Sequence, residues 1–208
     1  MKSRYSQIQF LAANYSRLQG LRMVPVGAVV LFVAIWINAR QGDLGGPILA
    51  VAGAILLYWL TDRYYTSVFG RVIPTPLQLR RELVVSVTFS VLAMLAFMFD
   101  SAEILPISAL GLIFAGALFV DFWVATRSVR GDAIALFPEN FVAALVILAF
   151  SILPVFGISW WESAGFKSQV NGILAMDGLV LIVAGIWGHI RVTRDLSAGE
   201  AKSNDITL

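Results

Sequence analysis

The sequence contains no cysteine and a single histidine, His189. The first absence excludes disulfides, thiol catalysis, iron–sulfur clusters and cysteine-based zinc sites, and leaves the redox compartment open. The second argues against a histidine-rich metal or haem site within one chain, so neither a metal nor a cofactor is expected. Charge is scarce as well. Charged residues make up 13% of the chain, against roughly 25% in a soluble domain of ordinary composition. That is too little to cover a water-facing surface. The formal net charge of +2 provides no basic face for nucleic acid.

Catalytic motifs are missing too. There is no Gly-x-Ser-x-Gly elbow, no His-Glu-x-x-His pair and no Walker-type glycine loop. No aspartates are spaced to hold Mg²⁺ on a diphosphate, and one histidine without cysteine leaves few nucleophile–base pairs. No catalytic residue is assigned, and a non-enzymatic protein is the reading this favours.

What the chain has is apolar bulk. Hydrophobic residues are 59% of it, the mean hydropathy is +0.82, and they fall in long blocks rather than in stripes or alternation. A bilayer core of ~30 Å needs about 20 helical residues. Six segments approach that length: 23–39, 47–65, 82–100, 104–125, 134–154 and 171–191. Prolines punctuate them. Pro47, Pro106 and Pro138 fall in first turns, where the missing N–H costs little, Pro154 should end the fifth helix, and Thr75-Pro76 can start the third outside the bilayer. The fold class is therefore all-α, a polytopic transmembrane bundle of six helices. The first 22 residues are too polar for the apolar core of a signal peptide, so no cleavable one is expected.

Six spans put all but Arg40 and Lys167 of the 15 basic residues on one side. Acids mark the other side's connections: Asp43, Asp100, Glu103 and Glu162. The Lys/Arg-rich side is normally cytoplasmic, so both termini are expected there. Trp160 and Trp161 suit an outer interfacial belt, and Tyr64 and Tyr65 an inner one.

Three regions follow. Residues 1–22 form a cytoplasmic segment whose apolar stripe (Tyr5, Ile8, Leu11, Ala12, Tyr15, Leu18, Leu21) reads as an amphipathic helix. It either lies on the anionic inner leaflet or packs under the bundle as a lid. Residues 23–191 are the transmembrane domain, and 192–208 a cytoplasmic tail, frayed from Leu196. The connection 62–81, with Tyr64, Tyr65, Phe69 and Pro74-Thr75-Pro76, reads as an ordered loop suited to a cytoplasmic protein partner. Ala52-Gly53, Ala115-Gly116 and Ala184-Gly185 give the second, fourth and sixth spans a faint mutual similarity, readable as three hairpins or as ordinary close packing.

Ionisable residues within spans are functional candidates because burying them costs ~2.5–3.5 kcal/mol at a helix centre. Asp177 lies about two turns inside the outer end of the sixth span. Asp121 and Glu139 lie near the cytoplasmic ends of the fourth and fifth, with Arg127 and His189 as supporting residues. Read functionally, Asp121 and Glu139 line a cytoplasm-facing pocket and Asp177 is a midway site for a proton, cation or amine. Read structurally, Asp121 and Glu139 reach interfacial water, Asp177 bonds across helices, and His189 is an interfacial residue. Asp100 and Glu103, one turn apart, can hold a divalent cation weakly, but a solvated acidic turn is the reading favoured.

Two functions remain. One is a scaffold, sensor or accessory subunit of the cell membrane, in keeping with a short, span-dominated and expectedly prokaryotic chain. The other is a small transporter or permease subunit with a polar path through Asp177, Asp121 and Glu139. Transport through so few helices would call for a homo-oligomer. The lipid bilayer is the partner common to both.

Overall fold

The computed structural model describes residues 20–40, 45–69, 76–127 and 138–204. Within them a single 3-10 turn, Gly20–Arg22, leads into α1 (Met23–Ala39). There follow α2 (Gly45–Phe69), α3 (Pro76–Ser101), α4 (Ala109–Arg127), α5 (Pro138–Ile152) and α6 (Gln169–Asn204). A 3-10 turn, Leu153–Phe156, and a one-turn helix, Trp160–Ser163, lie between α5 and α6. No strand occurs among the described residues. Four stretches are long and apolar enough to cross a membrane: Gly45–Ser67, Leu83–Ser101, Pro138–Phe156 and Gln169–Arg191. α1 and the Ala109–Trp123 part of α4 are apolar but shorter.

Proline placement explains most boundaries. Pro76 and Pro138 are the first residues of α3 and α5, where a preset φ and a missing N–H fit a helix start. Pro47 sits in the first turn of α2, and Pro154 coincides with the change from α-helix to 3-10 turn after α5. That turn stops at Gly157, whose φ of 73° is left-handed.

Three expectations need correction. The fourth helix begins at Ala109, not 104, and Pro106 precedes it, because Asp100 and Ser108 cap the chain at that later point. The presumed 62–81 loop is mostly helix: α2 continues to Phe69 and α3 starts at Pro76, so only 70–75 connect them, outside the described residues. The sixth helix does not stop at 191 but runs on to Asn204, through much of the presumed tail. The amphipathic segment over residues 5–19 lies outside the described residues.

Hydrogen bonds between distant elements order the ends of α1, α2, α4, α5 and α6, and α3 ends beside the start of α4, where Asp100 meets Ser108. The start of α1 meets the end of α2 through Arg22–Asp62, and Tyr65 of α2 meets His189 late in α6. At the other end, Asn38 of α1 meets Gly165 and Lys167 just before α6, and Ser108 before α4 meets Ser151 of α5. Sequential helices therefore run antiparallel.

The core has two parts. In one, α1 crosses α6 at backbone contact: a Cβ added at Gly27 would lie 2.6 Å from the Gly178 carbonyl oxygen. In the other, α4, α5 and α6 pack through Ala115, Leu118, Ala143, Ala144, Ile147, Leu181 and Ala184. Small side chains dominate both, as close packing without a hydrophobic driving force requires. α2 and α3 are peripheral. Only 6% of the membrane-length part of α2 and 11% of that of α3 is buried, against 44% for α6. Ala52 and Gly53 accordingly face outward while Ala184 and Gly185 are buried, so the three Ala-Gly pairs do not play equivalent packing roles.

Candidate functional site

Polar side chains collect at three levels of the bundle. The first lies at the end that holds the start of α1. Arg22 pairs there with Asp62 of α2 and lies over the Tyr58 ring. Tyr65 is 2% exposed, so it is no belt residue. Its hydroxyl accepts from the Leu21 amide at 3.2 Å and lies 3.0 Å from His189 Nδ1. His189 is edge-on to both Tyr64 and Tyr65.

Glu139 belongs to the same level. As the second residue of α5 it is favoured by the helix dipole. It is buried, and Arg191 Nη2 of α6 donates to its Oε1 at 2.8 Å. Gly188, one turn before, makes room: a Cβ there would sit 3.2 Å from Glu139 Oε1. The other oxygen, Oε2, is buried without a hydrogen-bond partner. Beside it, Asn140 Nδ2 donates to Asp121 Oδ2 at 3.0 Å, joining α5 to α4. Glu139 thus pairs with an arginine of α6.

The second level is the bundle interior, where Asp177 is 1% exposed. It lies on the buried face of α6 between Ile173, which packs toward Gly111 of α4, and Leu181, which packs in the α4–α5–α6 core. Neither carboxylate oxygen has a hydrogen-bond partner. Burial of an acid without a partner costs free energy that packing elsewhere must offset.

The third level, at the opposite end, corrects the solvated-turn expectation. Asp100 is 8% exposed, and its carboxylate accepts from Ser108 Oγ (2.6 Å), the Ala109 amide (2.7 Å) and the Leu110 amide (3.0 Å). Ser108 Oγ in turn accepts from the Gly111 amide at 3.1 Å. Two residues thereby satisfy the donors that open α4, and an anion sits at its positive end. Trp160 is also held inward, its Nε1 donating to the Phe150 carbonyl at 3.2 Å.

The sequence candidates are therefore dispersed rather than gathered. Asp121 and Glu139 share a level through Asn140, and His189 lies there on the α2 side of α6. Arg127 ends α4 and its side chain is outside the described residues. Asp177 stands alone, deeper. Arg191 and Asn140 were not among the candidates, and Tyr65 was expected in an interfacial belt and not at this level's hydrogen bonds. For Arg191 a signal existed: a base ending one span opposite an acid opening its antiparallel neighbour. Among the described residues no group of three acids or histidines could hold a metal ion. Compared with protein-family models, curated proteins and solved structures, the chain matches none.

Proposed function

We propose that the protein crosses the cell membrane six times with both termini in the cytoplasm, and serves as a scaffold, sensor or accessory subunit engaging a cytoplasmic partner. The two shorter apolar helices, α1 and α4, count as spans because each is tied at both ends: α1 to α2 and to the connection just before α6, α4 to α3 and α5. The strongly basic side supports the orientation. The observation that carries the functional reading is the position of α2 and α3. Two membrane-length helices hang at the rim, α2 against α1 and α3 mainly against α4, with apolar faces turned outward. A solute path draws spans around itself, whereas these are presented to the membrane and, at their basic ends around Arg63 and Arg80, to the cytoplasm. A prokaryotic source suits a chain so dominated by spans.

The test starts from the absence of cysteine. Single cysteines at Ser67 and Ser101 should react with a membrane-impermeant maleimide from the cytoplasmic and the outer side respectively. A photo-crosslinking residue at Arg80 should then give an adduct of defined mass in intact cells. Reaction of Ser101→Cys from the cytoplasm would sink the topology, and absence of any adduct at Arg63 and Arg80 the partner.

Asp177 favours a second reading, a small transporter with a path through Asp177, Asp121 and Glu139. A buried carboxylate lacking any donor needs a positive charge, a proton or a water to complete it. Labelling Asp177→Cys, Asp121→Cys and Glu139→Cys from each side of sealed vesicles decides the matter. Reaction of Asp177→Cys from the cytoplasm, or of either other variant from outside, establishes a water path. An inert Asp177→Cys, with the others reacting only from the cytoplasm, removes this reading.

A further inference from the structure

Between α1 and α2 runs a groove of about 600 Å³ that opens sideways from the bundle. Its α2 lining includes the small residues Ala50, Gly53 and Ala54, and it extends from Pro25 to Arg40 along α1. At 1.5 Å per residue that is roughly 22 Å, more than the ~15 Å of one leaflet's hydrocarbon. The groove is therefore long enough for one extended acyl chain.

The charges at its two ends differ. Near Pro25, Arg22 is already paired with Asp62. At the other end, Arg40 is exposed, lies 4.8 Å over the Trp36 ring, and has no carboxylate partner among the described residues. Trp36 is wedged against Gly46, so the ring that backs the guanidinium is itself held in place. A planar guanidinium held on an aromatic face at an apolar mouth suits the geometry of a phosphate.

We propose that this groove binds one phospholipid, its phosphate on Arg40 and one acyl chain along the small residues Ala50, Gly53 and Ala54. The proposal rests on membrane embedding alone and is independent of the partner and transport readings. An acyl chain lying in the groove makes dispersion contacts with its apolar lining. The headgroup contact then makes the lipid a stoichiometric part of the protein rather than exchanging solvent.

Native mass spectrometry of the protein, purified in mild detergent and titrated with phosphatidylglycerol, tests this. The wild type should retain one phospholipid per chain. A Cβ at Gly53 meets no atom within 4 Å, so Gly53→Phe fills the groove without clashing with the bundle and should abolish retention. Gly116 is equally free of neighbours and lies outside the groove, so Gly116→Phe should retain the lipid. Arg40→Gln should weaken retention about tenfold, as loss of a charge-assisted hydrogen bond does. Diacylglycerol, which has the chains without the phosphate, should bind at least as weakly to the wild type as phosphatidylglycerol binds to Arg40→Gln. Retention by Gly53→Phe, or loss from Gly116→Phe equal to that from Gly53→Phe, overturns the site. Equal binding of diacylglycerol and phosphatidylglycerol, or an unchanged Arg40→Gln, overturns the phosphate contact.

Discussion

Gly27 and Gly178 face one another where α1 crosses α6, and neither position has room for a methyl group. A Cβ at Gly27 would lie 2.6 Å from the Gly178 carbonyl oxygen, and one at Gly178 would lie 2.7 Å from the Gly27 carbonyl oxygen. Both obstacles are backbone, which no rotamer change can move. Gly27→Ala and Gly178→Ala should each destabilise the protein by about 1–3 kcal/mol, the range for overpacking, and Gly178→Leu by more. Thermal unfolding in detergent reads this directly. An unchanged midpoint for both alanine variants would mean that the helices do not touch there.

Asp100 should matter more than its place in a short connection implies. Asp100→Ala removes the acceptor of two backbone amides and one hydroxyl at the start of α4. Loss of a capping side chain costs ~1 kcal/mol and loss of charged hydrogen bonds ~1.5–3, so about 2 kcal/mol is expected. Glu103→Ala, at the exposed neighbouring acid, should change little. Comparable losses in the two variants would contradict the cap.

The Glu139–Arg191 pair joins α5 to α6 with side chains 6% and 18% exposed. Arg191→Met leaves Glu139 buried and uncompensated and should cost about 3 kcal/mol, the lower end for breaking a buried pair. Adding Glu139→Gln to Arg191→Met should recover much of that loss. A double-mutant cycle in which the two losses simply add would show that the pair carries no coupling.

Tyr65→Phe tests the link between α1, α2 and α6 with almost no change in volume. The variant loses the acceptor of the Leu21 amide and the contact with His189 Nδ1. A loss of about 1 kcal/mol is expected for such hydrogen bonds. Hydrogen exchange at the Leu21 amide should rise with it. Protection of that amide unchanged in Tyr65→Phe would place its acceptor elsewhere.

How far the candidate site could be read in advance depended on the range of the interactions involved. Asp177, Asp121 and Glu139 stood out because an ionisable residue in an apolar run is conspicuous in one dimension. Their partners did not. Arg191 is 52 positions from Glu139 and Asn140 is 19 from Asp121, and only helix rotation decides whether such residues meet. Asp100 was misjudged for the same reason: its eight-residue reach to Ser108 depends on a turn that folds it over the start of α4.

By itself the sequence determined the helical, membrane-suited character of the chain and most helix starts. Desolvating a backbone in hydrocarbon leaves few alternatives to a helix, and proline acts on its own and adjacent residues. Tertiary structure alone decided which helices are central and which lie at the rim. It also decided that Asp177 is buried without a donor, and that α1 and α2 stand apart enough to leave a groove. Those outcomes depend on where small residues on different helices coincide, because close packing falls off within an ångström and is invisible to hydropathy.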